Sequence, residues 1–239
     1  MKLEFGAIIN KHKNRPALVI SHGPSLNAYL TKLQTLKEKE FILIDCNEWM
    51  DFSNTIPHYW VIANSSLTVC SWKEKINNYK NNTILVYADS IDTTNKQWVA
   101  QNIEVDYLSY DQRHFNETPC SIRSSCCANI EKSRKTIQEE LRDYCKVDFK
   151  YGTGDSVSIH QIALAVLLGC NPVYFVGIDL NYSLGYANNL PSSPHNELLI
   201  CKPRIINDIK IIENSAKNIN IEIINLNKNS DFPFKTGEI

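Results

Sequence analysis

Two short turns in this sequence combine small residues with side chains suited to an anionic ligand. His22-Gly23-Pro24-Ser25 follows the β-branched run 16–21, and Thr153-Gly154-Asp155-Ser156 precedes the hydrophobic stretch 157–168. In each, small side chains let the backbone approach a ligand, and the amides opening a following helix face negative charge, so a phosphate or diphosphate is the natural guest. Neither turn has Walker A or Gly-x-Gly-x-x-Gly spacing, so plain strand-to-helix turns remain an open reading. In the second turn Asp155 or Ser156 is equally suited to cap the helix. Asn47, Asn64, Ser65 and Ser66 stand at two further polar breaks. A carboxamide carries a donor and an acceptor, which suits the edge of a base or ribose hydroxyls, although an Asx-turn uses the same atoms. Asp179 ends the apolar run 172–179, where an ionised carboxylate needs a partner or solvent. Beyond it, Tyr182, Tyr186 and His195 lie in a Gly-, Asn-, Ser- and Pro-rich stretch. An imidazole is a general base near neutral pH, and phenol hydroxyls can donate to a leaving phosphate.

These groups can act together only if the fold gathers them. Apolar runs at 16–21, 41–45, 59–63, 83–87, 104–108, 172–179 and 221–226 read as strands. Helices are expected at 26–39, 71–79, 130–144, 157–168 and 203–217, the fourth ended by Gly169. Strands alternating with helices imply right-handed crossovers, hence an α/β, Rossmann-like, mostly parallel sheet with helices on both faces. In such sheets ligands bind at the carboxyl ends of the strands, where the clusters at 21–25, 47, 64–66 and 179 all fall. Residues 109–130 show little periodicity and are expected to form a small lid insertion, with a mobile loop at 183–197.

The chain has 239 residues, enough for a single domain spanning 1–239 with its own core. Hydrophobic residues are 43% and charged residues 21%, ordinary globular usage. Twenty-five basic against 26 acidic side chains leave a net charge of −1, which disfavours nucleic acid as a partner. The longest apolar run, 162–169, is too short to span a bilayer, and no signal peptide opens the sequence, so a cytoplasmic protein is expected. Eight cysteines are scattered without Cys-x-x-Cys spacing and read as reduced thiols, with the vicinal Cys126-Cys127 pair open to redox chemistry or soft metals. There is no Asp-x-Asp and no zinc spacing, so no metal and no cofactor is expected. His160 reads as a core or interface residue, while His12, His58 and His114 have no evident partners.

The order of these clusters resembles the bacterial lipooligosaccharide sialyltransferases. The resemblance runs through Gly23-Pro24-Ser25-Leu26, Asn47, Asn64 with Ser66, Gly177-Ile178-Asp179 and His195. It implies CMP-sialic acid as donor, no metal requirement and inversion at the anomeric carbon. It further implies that His195 deprotonates the acceptor hydroxyl and that Tyr182 and Tyr186 stabilise the departing CMP phosphate. The nucleotide would then be bound by His22, Gly23, Pro24, Ser25, Asn47, Asn64, Ser65, Ser66, Thr153, Gly154, Asp155, Ser156 and Asp179. His22 departs from that family's Asn, Asn181 stands close to an expected Tyr, and Ser156-Val157-Ser158 only approximates its Thr-Ser-Gly.

The same residues are similar to a second, broader family of motility accessory factors that glycosylate flagellin and archaeal hydroxymethylpterin diphosphokinases. That family is matched more closely by Leu168-Gly169-Cys170-Asn171-Pro172 and Gly177-Ile178-Asp179-Leu180. The expectation is therefore a metal-independent, inverting glycosyltransferase of lipopolysaccharide biosynthesis in a bacterium. It would move sialic acid or a related nonulosonic sugar from a CMP-activated donor to a surface glycan or glycolipid. A homo-oligomer is expected, with weak peripheral association at the inner membrane allowed. The alternatives are a diphosphokinase of the hydroxymethylpterin type using ATP and Mg²⁺, or a non-catalytic nucleotide- or glycan-binding protein.

Overall fold

The computed structural model describes residues 1–62, 66–89, 93–111, 137–146, 156–180, 185–190, 196–230 and 234–239. Seven strands form one sheet: β1 (Ala17–Ile20), β2 (Ile42–Cys46), β3 (Tyr59–Ile62), β4 (Ile84–Asp89), β5 (Tyr107–Asp111), β6 (Val173–Val176) and β7 (Ile223–Asn225). Their order is β5-β4-β3-β2-β1-β6-β7, and every neighbouring pair is parallel. The expected α/β, Rossmann-like architecture is thus present, and each apolar run overlaps one strand, although β5 begins and ends three residues later than the run 104–108. From β1 the chain adds strands in one direction through β5, then returns to place β6 on the other side of β1. The crevice of such a switch point opens beyond the carboxyl ends of β1 and β6.

Every residue of β1, β2 and β3 is buried, as expected of strands covered on both faces. Alternate side chains enter different cores. Ala17, Val19, Ile42 and Ile44 pack with α5 (Ile137–Cys145), α6 (Val157–Leu167) and α7 (Asn196–Lys217) on one face. Leu18, Ile20 and Leu43 meet Leu26, Leu33 and Leu36 on the other. Further along that face Trp60, Leu85 and Tyr87 pack with Val69, Ile76 and Val99 of α2 (Ser66–Ser71), α3 (Lys73–Asn77) and α4 (Thr93–Asn102). α6 is buried all round from Ser158 onward, so it is a core helix with no solvent stripe. The carbonyls near its end accept the amides of Asn10, His12 and Asn14.

The helical expectations need four corrections. The 26–39 segment is not one helix: 3-10 turns at Pro24–Ala28 and Leu30–Lys32 precede the short α1 (Leu33–Glu38). Leu30, Leu33 and Leu36 stand three apart, a spacing that eclipses on a 3-10 turn. The 71–79 helix is two, α2 and α3, joined at Trp72. α4 was not expected, because its polar sequence offers Trp98 and Val99 but no apolar stripe. α7 begins seven residues before Pro203 and carries that proline inside it. Only residues 109–111 of the expected 109–130 lid are described, as the end of β5, and α5 is described from Ile137. No helix is long and apolar enough to cross a membrane, a statement that holds for the described residues.

His12 and His58 do have partners. His12 Nε2 lies 2.9 Å from the Tyr59 hydroxyl, and His58 Nδ1 accepts the Leu43 amide at 3.1 Å. Burial, with Arg15 and Lys11 near His12 and Lys37 near His58, lowers each imidazole from 6.5 to about 4. Both rings are therefore neutral in the fold but take up a proton in the unfolded chain below its ordinary 6.5. Stability should fall as pH drops from about 6.5 toward 4. Urea midpoints across that window test this, and His58→Asn, which keeps an acceptor for Leu43, should shallow the fall. An equal slope in the variant would remove His58 from the explanation.

Candidate functional site

At the switch point the exits of β1 and β6 are bonded to each other. Gly177 has φ +77, and a Cβ there would lie 1.7 Å from the Ser21 carbonyl oxygen, so no side chain fits. The Gly23 amide donates to Gly177 O at 2.9 Å, and the Gly177 amide donates to Ser25 Oγ at 2.9 Å. The Ser25 amide donates to Asp179 Oδ2 at 2.8 Å, and Asn227 Nδ2 donates to Asp179 Oδ1 at 2.6 Å. Leu26 N–H goes to Gly23 O, and Pro24 has none to offer. The amides of Gly23, Ser25 and Leu26 in the first turn are thus engaged within the protein, that of Ser25 by the Asp179 carboxylate in place of an outside anion, while residues 153–155 of the second turn lie outside the described residues.

The side chains on the β2 side are arranged differently. His22 Nε2 lies 2.9 Å from Asp45 Oδ1, whose residue is 1% exposed. The same oxygen accepts the Cys46 amide at 2.8 Å, and Cys46 Sγ stands 4.0 Å from the same Nε2. Burial opposes a charge on His22, but the neighbouring Cys46 sulfur and Asp45 carboxylate outweigh it and raise the imidazole above 6.5. Burial pushes the Cys46 thiol up, and the neighbouring His22 pulls it down. Asp45 is then the partner that holds an imidazolium.

Phe52 stacks on the His22 ring with centroids 4.0 Å apart, and Tyr186 meets Phe52 edge-on at 6.3 Å. The strap carrying Tyr186 is docked by Ala187 N–H to His22 O, Asn188 N–H to Asn27 Oδ1 and Asn188 Nδ2 to Phe52 O. Burial, then Glu48 and Cys46, raises the Tyr186 phenol, which therefore remains a donor. Asn47 has φ +40 and uses its backbone N–H and carbonyl on Val61 O and Trp60 Nε1. Its Oδ1 is buried with no partner among the described residues, as is Trp49 Nε1.

Behind these groups α6 ties the strand exits together. Ser156 caps the helix by accepting the Ser158 amide. Gln161 Nε2 donates to Ile20 O at 2.8 Å and Ile44 O at 3.1 Å, joining β1 to β2. Ser21 Oγ donates to Gln161 Oε1 and lies 2.9 Å from Ser158 Oγ. His160 is in the core, its ring 4.9 Å from that of Tyr110.

Of the sequence-derived residues, His22, Gly23, Pro24, Ser25, Asn47, Ser156, Asp179 and Tyr186 are brought to this edge. Asn64, Ser65, Thr153, Gly154, Asp155, Tyr182 and His195 lie outside the described residues, and Ser66 opens α2. Asp45, Phe52 and Gln161 were missed. Gln161 had a signal, a lone amide inside an otherwise apolar helix.

A Cβ on residue 23 would lie 2.5 Å from Asp179 Oδ2 and 2.6 Å from Gly177 O. Gly23→Ala should therefore destabilise the protein by about 1–3 kcal/mol, an overpacking cost readable by urea denaturation. An unchanged midpoint would mean that the turn is not held against β6 in this way.

No curated protein matches the sequence significantly. Solved structures share its fold. The sialyltransferase CstII from Campylobacter jejuni, in complex with the substrate analogue cytidine-5'-monophosphate, is 15% identical. The match covers 94% of this chain and 86% of that one, with a TM-score of 0.53. CstII with the substrate analogue CMP-3FNeuAc matches at 15% identity, 94% and 86% coverage and TM-score 0.52. A point variant of the sialyltransferase CST-II in complex with CMP matches at 16%, 93% and 87%, with TM-score 0.52. At such identities the likeness is one of fold. The sequence itself matches a family over residues 2–185, most of its length. The chain belongs to the family described as 6-hydroxymethylpterin diphosphokinase MptE-like.

Proposed function

We propose that the chain is an inverting glycosyltransferase that moves sialic acid or a related nonulosonic sugar from a CMP-activated donor to a glycan or glycolipid, with no divalent cation on the donor phosphate. One observation carries this reading: the His22 imidazole lies 2.9 Å from the carboxylate of Asp45, two residues before Asn47, whose buried carboxamide oxygen has no partner among the described residues, at the switch point of the sheet. It is supported by the fold shared with CstII, a sialyltransferase crystallised with CMP.

In this reading Asn47 Oδ1 accepts from the cytidine moiety, and the His22 imidazolium faces the donor phosphate. The Tyr186 phenol donates to that phosphate as it leaves. Fixed donors aimed at developing negative charge can do the work otherwise done by a metal. His195 takes the proton of the acceptor hydroxyl, whose oxygen attacks the anomeric carbon. The bond from that carbon to the CMP oxygen breaks with its electron pair on the phosphate, and Tyr182 joins Tyr186 there. Such an enzyme would work as a cytoplasmic homo-oligomer, at most loosely held at the inner membrane.

The family match supports a second reading, a diphosphokinase using ATP and Mg²⁺. Asp179, at the exit of β6, is bonded through both oxygens inside the protein, and Asp45, at the exit of β2, lies between an imidazole and a thiol rather than in the oxygen shell that Mg²⁺ prefers, so other groups would have to hold that cation.

Calorimetric titration with CMP, CDP, UDP, GDP and ATP, each with and without Mg²⁺, separates the two. CMP selectivity independent of Mg²⁺ is expected, and Mg²⁺-dependent preference for ATP would overturn the transferase reading. Asn47→Ala should weaken CMP roughly fivefold, the loss of about one hydrogen bond. His195→Ala should lower turnover by about 10²–10⁴-fold with CMP affinity unchanged. Loss of CMP binding with transfer retained would reverse that assignment.

A further inference from the structure

We propose that His22 Nε2, the Asp45 carboxylate and Cys46 Sγ form a binding site for one thiophilic divalent transition ion, Zn²⁺ in type, with a fourth position left to solvent. The inference does not rest on the transferase reading, since the metal-bound imidazole and the imidazolium of that reading are alternative states of the same side chain, and it departs from the sequence expectation that no metal is bound.

The donor atoms of these three residues all lie within 4.8 Å of one another. His22 Nε2 is 2.9 Å from Asp45 Oδ1 and 4.0 Å from Cys46 Sγ. Tetrahedral zinc, with bonds of about 2.0–2.3 Å, sets its ligand atoms roughly 3.3–3.7 Å apart. The two separations from His22 straddle that range, and the Asp45–Cys46 pair, within 4.8 Å, needs to close by at most about 1 Å to complete the set. The positions are fixed independently: Asp45 and Cys46 are consecutive at the end of β2, and His22 stands beyond the end of β1, with Gln161 bridging the two strands.

Both Asp45 and Cys46 face the same nitrogen. A nucleophile relay needs the carboxylate on one ring nitrogen and the sulfur on the other, so this is not a Cys-His-Asp triad. Three different donors converging on one point is instead what a metal centre requires. Imidazole with thiolate selects zinc-like ions, whereas Mg²⁺ and Ca²⁺ prefer shells of oxygen. Carboxylate and thiolate together neutralise a dication, which suits residues 1% and 2% exposed. The Cys46 amide on Asp45 Oδ1 supplies the outer hydrogen bond that orients a ligating carboxylate. On binding, the thiol proton and the proton between His22 and Asp45 pass to solvent. The ligands come from two strands, which is why no linear spacing betrays them.

Cobalt is the probe. The full-length protein, reduced with a non-chelating phosphine, stripped with chelator and dialysed, is titrated with Co²⁺ in the absence of nucleotide. A sulfur-to-cobalt charge-transfer band and tetrahedral visible bands should rise to one equivalent and vanish on adding Zn²⁺. Cys46→Ser should lose the charge-transfer band. His22→Asn, a second variant should the first fail to fold, should lose the tetrahedral spectrum. Replacing both Cys126 and Cys127 by Ser should leave the spectrum intact. No band in the native sequence, its persistence in Cys46→Ser, or its loss in the Cys126/Cys127 variant would overturn the site. Because no nucleotide is present, failure here leaves the transferase reading standing, and failure of CMP binding leaves the metal site standing.

Discussion

Everything at the carboxyl edge of this sheet follows from the lack of space between Gly177 and the carbonyl of Ser21. A hydrogen is the largest substituent residue 177 can carry. The two strands that flank the switch point therefore leave the sheet already in contact, and the backbone polar groups made available there satisfy each other through Ser25 and Asp179. In many parallel sheets the same crevice presents free amides to a ligand. Here the Gly23 and Ser25 amides of the first turn are occupied, and the polar side chains that remain at this edge, those of His22, Asp45 and Asn47, gather between the exits of β1 and β2.

That displacement changes the character of the site. A phosphate cradle of amides is a fixed set of partial charges, whereas an imidazolium on a buried carboxylate can exchange its proton. A carboxylate at 1% exposure needs a partner, and His22 supplies it at the exit of the neighbouring strand. Gln161 completes the arrangement by bonding the last carbonyl of β1 and that of Ile44 inside β2 from a mostly apolar helix. The exit of β1, the middle of β2 and α6 are thus tied together by one side chain.

The strands were legible because covered parallel strands need unbroken apolar runs, and 16–21, 41–45 and 59–63 supply them without competing patterns. The polar breaks at the strand ends located the site for the same reason. Helices were harder. Residues 26–39 carry leucines at spacings that fit either a 3-10 or an α register, and only the tie of Ser25 to Asp179 decides how the segment starts. α4 has too few apolar residues to announce a face. The partners of His22 were hidden because Asp45 closes a hydrophobic run and Cys46 opens the polar break after it, and nothing in either stretch shows that both face residue 22 of another strand. The roles of His12 and His58 depend on atoms of Tyr59 and Leu43 across strands, which no local window contains.

Residue 22 joins two properties that are usually separate. Its backbone is pinned, the carbonyl by Ala187 and the following amide by Gly177, so the path of the chain is settled whatever side chain stands there. Its side chain alone reaches the end of β2. The position is accordingly a dial on the scaffold: a single codon can exchange a titratable ring for a carboxamide or a hydroxyl, altering what the edge accepts while leaving the architecture as it was.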